Sequence, residues 1–242
     1  MKELLIEQMN STSRFLRDLP MTEIKGNTLK QNGKEFNLIS IIGCVRIDKS
    51  LIEDYNTVLT DGLESKAKSI GRKYTDVITN GRKGNFSEFD GLDALAETTN
   101  VIDKKDALDY LVINNPDFIL MRYIEYSKFK NNFEIKRGDA YFKGAKIYIN
   151  DYIRPSYCSL LKKVLYWLAT KIKVVKPPEY DIVPMYSGKF GANGIFGIRA
   201  EGDYPVVEDR GEIDGEAVHV MKAYLGLCCA NNETLTKAVI RI

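Results

Sequence analysis

The chain has 242 residues, of which 44% are hydrophobic and 28% are charged, so it can bury one sizeable core or two smaller ones. The 35 basic residues nearly cancel the 33 acidic ones, and the net charge of +2 argues against a protein whose main role is gripping nucleic acid. The most apolar segment, residues 160–172, is interrupted by lysines and is too short to span a bilayer, so we expect a soluble intracellular protein. Such a protein would keep its cysteines at 44, 158, 228 and 229 as buried, reduced thiols, since none has the spacing of metal ligands.

The first 19 residues are predicted to form a short helix that breaks and restarts. Residues 10–13 (Asn-Ser-Thr-Ser) interrupt its apolar positions, and a Ser or Thr there is the expected N-cap of the second part. Pro20 ends the helix.

Residues 21–42 are predicted to form a β-hairpin. The strands 22–24 and 36–41 flank Asn32-Gly33, a strong turn signal because a two-residue hairpin turn needs positive φ at both central positions.

A long helix is predicted over residues 50–79. Apolar residues recur there at steps of three and four for about eight turns, starting at Leu51. Asp48 or Ser50 is the expected N-cap, and Asn80-Gly81 is expected to end the helix in the left-handed conformation. Gly62 and Gly71, which weaken a helix, predict a bend or a close crossing.

The remainder of the chain predicts an α+β protein with this one dominant helix. The expected elements are a helix at 103–112, a buried strand at 117–121, a helix at 124–131, a strand pair at 142–149 with Gly144 at its turn, an amphipathic helix at 156–172, and strands at 182–186, 195–199, 206–209, 217–229 and 236–242.

The end of the long helix carries the most informative motif. Thr79-Asn80-Gly81 is followed by a short basic linker and then by residues 88–92, Glu-Phe-Asp-Gly-Leu. This arrangement resembles the major capsid proteins of tailed bacteriophages, which have the Hong Kong 97 fold. Further similar segments lie at 16–20, 24–29, 47–49, 108–109, 115–121, 141–148, 186–191, 194–198 and 223–227, so the resemblance covers about residues 14–242.

The resemblance implies a domain organisation. Residues 1–20 would be an N-terminal arm, and 21–42 a shortened extended loop. The long helix would brace a peripheral domain of residues 43–100 and 200–230. An axial domain would comprise 101–199 and 231–242, with the helix 156–172 as an insertion.

The resemblance also implies a function, which is structural rather than enzymatic and needs no cofactor or metal. Many copies would assemble into pentamers, and in larger shells hexamers, of an icosahedral virion shell built in the bacterial cytoplasm. Its partners would be a portal and a separate scaffold protein, and it would contact packaged DNA weakly and non-specifically. No membrane partner is expected. An encapsulin-type compartment, which shares the fold and encloses enzymes, is the related alternative.

Subunit contacts are expected at the arm, the hairpin, the loop after the long helix and the insertion. The candidate interface residues are Phe15, Leu16, Asn32, Gly33, Lys34, Asn85, Phe86, Glu88, Phe89, Tyr157, Lys162 and Trp167. Because the extended loop is short, it would overlap a neighbour less than usual or belong to a compact lattice.

Two sets of residues suggest chemistry. His219 is the single histidine, and without a partner nearby it is interpreted as an edge or interface side chain. Asp117, Glu134 and Lys136 resemble a Mg²⁺-dependent nuclease motif, in which carboxylates hold the metal and the lysine polarises water. A nuclease is therefore the alternative from another functional class, although such spacing arises easily by chance.

Overall fold

A computed structural model describes residues 1–48, 54–85, 88–96, 99–102, 106–154, 182–202 and 204–241 of the chain. The structure is α+β, as the sequence predicts. Its helices are α1 (Lys2–Asn10), α2 (Arg14–Asp18), α3 (Tyr55–Asn80), α4 (Leu92–Leu95), α5 (Ala107–Leu111) and α6 (Tyr123–Phe129). Its strands are β1 (Met21–Ile24), β2 (Thr28–Gln31), β3 (Lys34–Asn37), β4 (Ile39–Asp48), β5 (Thr99–Ile102), β6 (Phe118–Met121), β7 (Glu134–Lys136), β8 (Asp139–Phe142), β9 (Ala145–Ile149), β10 (Ile182–Gly188), β11 (Ile195–Ala200), β12 (Val206–Ile213), β13 (Glu216–Cys229) and β14 (Thr236–Arg241).

The chain folds into two compact units. The first consists of Met1–Leu95 and Phe190–Asn232, and the second of Ala96–Lys189 and Glu233–Ile242. The chain therefore leaves the first unit, builds most of the second, returns, and ends in the second.

The first unit is organised around β13, which is 14 residues long. This strand pairs antiparallel with β4, β11 and β12, and β1 joins the sheet by parallel pairing with β11. Alternate residues of β13, among them Met221, Ala223 and Leu225, are fully buried, which follows from the two-residue period of a strand with one face on the core.

The long helix is confirmed as α3, whose 26 residues make about seven turns. The predicted cap Asp48 is wrong, since it ends β4, and the alternative Ser50 lies outside the described residues. Asp54 caps the helix instead, because its carboxylate accepts hydrogen bonds from the N–H of Thr57 at 3.2 Å and from the Thr57 hydroxyl at 2.6 Å. The buried face consists of Leu63, Ala67, Ile70, Gly71, Tyr74, Thr75, Val77, Ile78 and Thr79.

The two glycines within α3 mark close crossings. A Cβ atom at Gly71 would overlap the carbonyl oxygen of Met9, so α1 crosses α3 with backbone against backbone. A Cβ atom at Gly62 would lie 2.7 Å from a methyl group of Val45 in β4. The close-crossing interpretation is therefore confirmed at both positions.

The predicted left-handed ending of α3 is wrong. Gly81 has a φ of −59°, which any residue can adopt. Glycine is required there for space, since a Cβ atom would lie 2.6 Å from the carbonyl oxygen of Val77 and would overlap that of Phe89.

The turn of the predicted hairpin is confirmed, but its strand pairing is not. Asn32 and Gly33 have φ values of 51° and 74° and join β2 to β3. The segment 22–24 belongs to β1 and pairs with β11 rather than within the hairpin, and the predicted strand 36–41 is divided between β3 and β4. The main sheet thus takes both flanks of the hairpin: β1 pairs four residues with β11, and β4 pairs ten with β13.

The N-terminal helix breaks at residues 11–13 as predicted, giving α1 and α2. Ser13 occupies the N-cap position of α2 with extended backbone, although its hydroxyl makes no capping hydrogen bond.

The second unit contains a seven-stranded sheet in the order β5-β14-β10-β6-β9-β8-β7. Its core includes buried side chains of α5, α6 and one face of the sheet, among them Leu111, Ile119 and Phe129. The strand at 117–121, the helix at 124–131, the pair at 142–149 and the C-terminal strands are confirmed, with shifted ends. The helix at 103–112 is described from Ala107, β5 and β7 are additional, and the helix predicted at 156–172 lies outside the described residues.

Candidate assembly interface

The hairpin β2–β3 is fastened to its own subunit at its tip. The side-chain amide of Asn32 donates to the carbonyl of Ala230 at 2.9 Å, and that of Gln31 donates to the carbonyl of Ala192 at 3.1 Å. The thiol of Cys228 lies 3.6 Å from the side-chain oxygen of Gln31. We call the Asn32 and Gln31 hydrogen bonds the tip latch.

The hairpin has one apolar face and one polar face. Phe36 packs with Ile24, Phe196, Ile198 and Cys228 in a buried cluster, and Leu29 lies opposite Phe36 in the register. On the other face Lys30 and Glu35 are exposed, as are Asn32, Gly33 and Lys34 at the turn. The hairpin therefore packs its apolar face on its own subunit and leaves mainly polar groups exposed.

The segment after α3 is held by carboxylates that accept backbone hydrogen bonds. Glu88 accepts from the N–H of Arg82 at 3.2 Å and from the side-chain amide of Asn85 at 2.9 Å, and Asp90 accepts from the N–H of Lys83 at 2.8 Å. The two hydrogen bonds to Glu88, above all the one from Asn85, lower the pKa of Glu88 below its ordinary value. We call residues 81–85 and 88–91 the helix-end loop.

Three of the expected interface side chains lie inside the subunit. Phe15 and Leu16 are 1% and 4% exposed, and the ring of Phe15 lies 5.7 Å from that of Phe190. Phe89 is 6% exposed and contacts Tyr74 edge to face at 6.1 Å. The expectation of exposed contacts is corrected for these three, because the first unit uses their rings to fill its own core.

The other expected contacts divide into two groups. Asn32, Gly33, Lys34 and Asn85 are exposed and Glu88 is partly exposed, so their interface role remains a prediction. Phe86, Tyr157, Lys162 and Trp167 lie outside the described residues.

The second unit carries a group of exposed apolar side chains that were not predicted from the sequence. Tyr123 and Ile124, at the start of α6, are 58% and 55% exposed, and Ile149 and Tyr152 near the end of β9 are 42% and 39% exposed. The N–H of Tyr123 donates to Asp151 at 2.9 Å, which brings the two segments together. We call these four side chains the apolar patch; exposed patches of this kind often mark protein–protein contacts. Their signal in the sequence was weak, since each could equally fill a core.

The sequence had suggested that His219 is an edge or interface side chain, but the structure places it inside the sheet. It lies on β13 between β4 and β12, is 7% exposed, and has its Nε2 atom 2.6 Å from the hydroxyl of Tyr55. This contact joins the first turn of α3 to the central strand. A single hydrogen bond between a buried histidine and a tyrosine is a structural arrangement and does not by itself form a catalytic site.

The nuclease motif does not assemble. Glu134 and Lys136 lie on β7, their side chains are 64% exposed, and they pair with each other at 2.7 Å. Asp117 precedes β6, which is separated from β7 by β9 and β8, or roughly 14 Å at the usual strand spacing. Among the described residues there is also no group of three or more His, Cys, Asp or Glu that could hold a metal ion.

The expectation of buried thiols is confirmed for two cysteines. Cys228 and Cys229 are buried, and burial raises the pKa of Cys228 to about 12, so its thiol stays protonated. Cys44 is exposed, so the expectation is wrong there, and Cys158 lies outside the described residues. Over the described ranges, no helix has the length and apolar character needed to cross a membrane.

Comparison with known proteins gives matches in structure only. No protein-family model matches the sequence, and no curated protein has a significantly similar sequence. The chain is similar in structure to the holo-SrpI encapsulin complex from Synechococcus elongatus PCC 7942, with a TM-score of 0.68, 12% identity, and coverage of 93% of this chain and 86% of the encapsulin chain.

Phage structures give the same result. A chain of the satellite phage P4 procapsid, which includes the size determination (Sid) protein, matches with a TM-score of 0.57 and 11% identity, covering 99% of this chain and 91% of that one. Mycobacterium phage Adephagia matches with a TM-score of 0.57 and 11% identity, covering 97% and 90%. At such identities the similarity concerns the fold: the chain has the Hong Kong 97-type capsid fold that its sequence predicts.

Proposed function

We propose that this protein is a structural subunit that self-assembles into the icosahedral shell of a tailed bacteriophage and encloses double-stranded DNA. The observation that carries the proposal is the extent of the structural match: 86% to 91% of an encapsulin, a phage P4 and a phage Adephagia chain is reproduced at 12% identity or less. A fold kept over nearly the whole chain at such low identity favours a role that depends on shape.

In this proposal the first unit is the peripheral domain, braced by α3, and the second is the axial domain. Axial domains would gather into pentamers and, in larger shells, hexamers. Their head-to-tail contacts form a closed ring because the rotations between successive copies add up to a full turn. A portal and a separate scaffold protein would complete a virion assembled in the host cytoplasm, and packaged DNA would contact the inner surface weakly.

The contacts that hold the shell are proposed to use residues that the isolated subunit leaves exposed or partly exposed. They are the hairpin tip at Asn32, Gly33 and Lys34, the helix-end loop at Asn85 and Glu88, and the apolar patch around Tyr123. Tyrosine at the centre of such a contact is favourable because it combines a large apolar area with a polar hydroxyl.

The test is electron microscopy of the purified full-length chain in negative stain. We expect closed particles of uniform diameter, or rings of five or six copies. Monodisperse monomers at every concentration and ionic strength, with or without a scaffold protein from the same gene neighbourhood, would contradict the proposal.

An encapsulin-type compartment is the second candidate. It is favoured by the TM-score against the SrpI encapsulin, 0.68, which is higher than the 0.57 against the phage P4 chain. The two candidates differ in what the particles enclose. Nuclease-treated particles from the native source would retain protected double-stranded DNA if they are capsids, and would contain a co-purifying enzyme if they are compartments.

A further inference from the structure

The seven-stranded sheet of the second unit ends in an exposed strand. Among the described residues, β7 pairs only with β8, and all three of its residues are exposed, Ile135 to 64%. An open strand edge offers unpaired N–H and C=O groups to another chain.

The turn between β7 and β8 determines which groups these are. Arg137 and Gly138, with φ values of 52° and 83°, form a two-residue turn, and Lys136 lies opposite Asp139. In such a hairpin the residues that flank the turn exchange backbone hydrogen bonds, and hydrogen-bonded pairs alternate with non-hydrogen-bonded ones. Ile135, opposite Ala140, is therefore in a non-hydrogen-bonded pair, and its N–H and C=O point towards the open edge.

On β7, Ile135 is flanked by two residues of opposite charge. Glu134 precedes it and Lys136 follows it, and both side chains are well exposed. An antiparallel copy of the same strand, centred on Ile135, would place each glutamate opposite a lysine. A parallel copy in register would place like charges side by side, which is unfavourable.

We propose that β7 pairs with β7 of a second copy of this chain, antiparallel and about a two-fold axis at Ile135. The two Ile135 residues exchange both backbone hydrogen bonds, and the two Glu134–Lys136 pairs form between copies in place of the pair within each strand. Charges on an edge strand usually prevent association, but here a two-fold axis makes them complementary.

This contact goes beyond the proposed function. Ring contacts in a shell are head to tail, whereas this contact is self-complementary and needs only two copies. A three-residue strand gives only a weak contact by itself, so the dimer is detected by trapping it covalently.

The test is disulfide trapping with matched variants in a Cys44→Ser background. Ile135→Cys would bring two thiols together, because directly opposite residues in a hydrogen-bonded pair have Cα atoms about 5.5 Å apart, a distance that suits a disulfide. Ile113→Cys is the control, since Ile113 is 65% exposed but lies in a turn rather than on a strand edge. With diamide as oxidant, we expect roughly tenfold more disulfide-linked dimer from Ile135→Cys on a non-reducing gel. Equal amounts would overturn the proposal.

Charge reversal then tests the pairing itself. In the Ile135→Cys background, Glu134→Lys and Lys136→Glu should each lose the trapped dimer, because like charges face each other. An equimolar mixture of the two should restore it as a heterodimer. Undiminished dimer from either variant alone, or no recovery on mixing, would refute the two-fold arrangement. Circular dichroism checks that each variant is folded, and none of these readouts depends on whether shells form.

Discussion

At the scale of single residues, several side chains expected to contact neighbouring subunits instead pack inside their own subunit. Glycines allow the helices and strands of that subunit to approach each other closely. Gly71 lets the backbone of α1 meet the backbone of α3, since any side chain there would overlap the Met9 carbonyl. Phe15 and Phe89 fill the first unit, and Tyr55 connects the start of α3 to His219. The interior of this unit is therefore specified by close contacts that tolerate little change.

Gly71→Ala should destabilise the isolated subunit although alanine favours a helix. The gain in helix propensity is about 1 kcal/mol, whereas displacing a backbone carbonyl costs about 1–3 kcal/mol or more. Urea denaturation should show a net loss of about 1–2 kcal/mol, with the cost near the upper end of its range since the crowded atom cannot move without shifting α1. Gly62→Ala is the comparison, because it meets a methyl group of Val45 and should cost less. A Gly71→Ala variant as stable as the wild type would contradict the crossing.

At the scale of elements, the helix-end loop and the hairpin are short segments fixed by few hydrogen bonds. The loop depends on Glu88 and Asp90, and the hairpin on the tip latch and on Phe36. Each is therefore open to a test that changes one group and leaves the sheet and α3 intact.

Glu88 should make stability depend on pH. Its pKa is lower in the folded chain than its ordinary value of 4.5, mainly through the hydrogen bond from Asn85. The unfolded chain therefore takes up the proton first, so this stabilisation is complete above pH 4.5 and is lost as the pH falls through the folded pKa. Glu88→Gln should lower the free energy of unfolding by about 1 kcal/mol at pH 7 and flatten its decline in acid.

Asn85→Ala provides the matched variant for this prediction. It removes the main cause of the lowered pKa, so it should change the pH dependence in the same direction as Glu88→Gln, but less. If thermal denaturation of Glu88→Gln between pH 3 and 7 follows the wild-type profile, the loop is not held in this way.

The tip latch should restrict local opening of the hairpin. Asn32→Gly keeps a residue suited to positive φ and removes only the side-chain bond to Ala230, so the turn should persist while the tip opens more often. Loss of one hydrogen bond worth about 1 kcal/mol should raise amide exchange of β2 and β3 about fivefold. Exchange in α3 serves as the internal reference, and unchanged hairpin exchange would show that the Asn32 bond does not restrict opening of the hairpin.

At the scale of the whole molecule, the chain has a capsid-type fold, two compact units and, over its described residues, no group of three or more side chains suited to metal binding. Its most exposed apolar groups include the apolar patch in the second unit. A surface that association would cover is the simplest physical reason for such exposure.

Changing the patch should therefore weaken assembly and leave the fold intact. Tyr123→Ser combined with Ile124→Ser should reduce the particle yield at fixed concentration by about tenfold or more, since central aromatic residues often dominate a contact. Thermal stability should change little, because both side chains are more than half exposed. Ile113→Ser, at a similarly exposed position outside the patch, is the control; equal yields for both variants would exclude the patch from the interface.

Much of the fold was predictable because local patterns carry it. The three- and four-residue steps of α3, the Asn32-Gly33 turn, the buried run of β6 and the alternating C-terminal strands were all correct. The main failure was non-local: β1 pairs with a strand more than 170 positions later, at residues 197–200. At Gly81, part of the crowding that requires glycine comes from the return of the chain at Phe89. The candidate interface was less predictable, since an apolar residue has the same pattern whether it faces its own core or a neighbour.

The sequence by itself determined the element types and the dominant helix, because periodicity and turn chemistry act between residues that are close along the chain. The capsid-type fold was expected from the resemblance of its segments to tailed-phage capsid proteins. Only the tertiary structure decided which side chains stay exposed. It placed Phe15, Leu16 and Phe89 inside, separated Asp117 from Glu134 and Lys136, and left β7 and the apolar patch at the surface. Burial depends on contacts between segments distant in sequence, and those contacts exist only once the chain has folded.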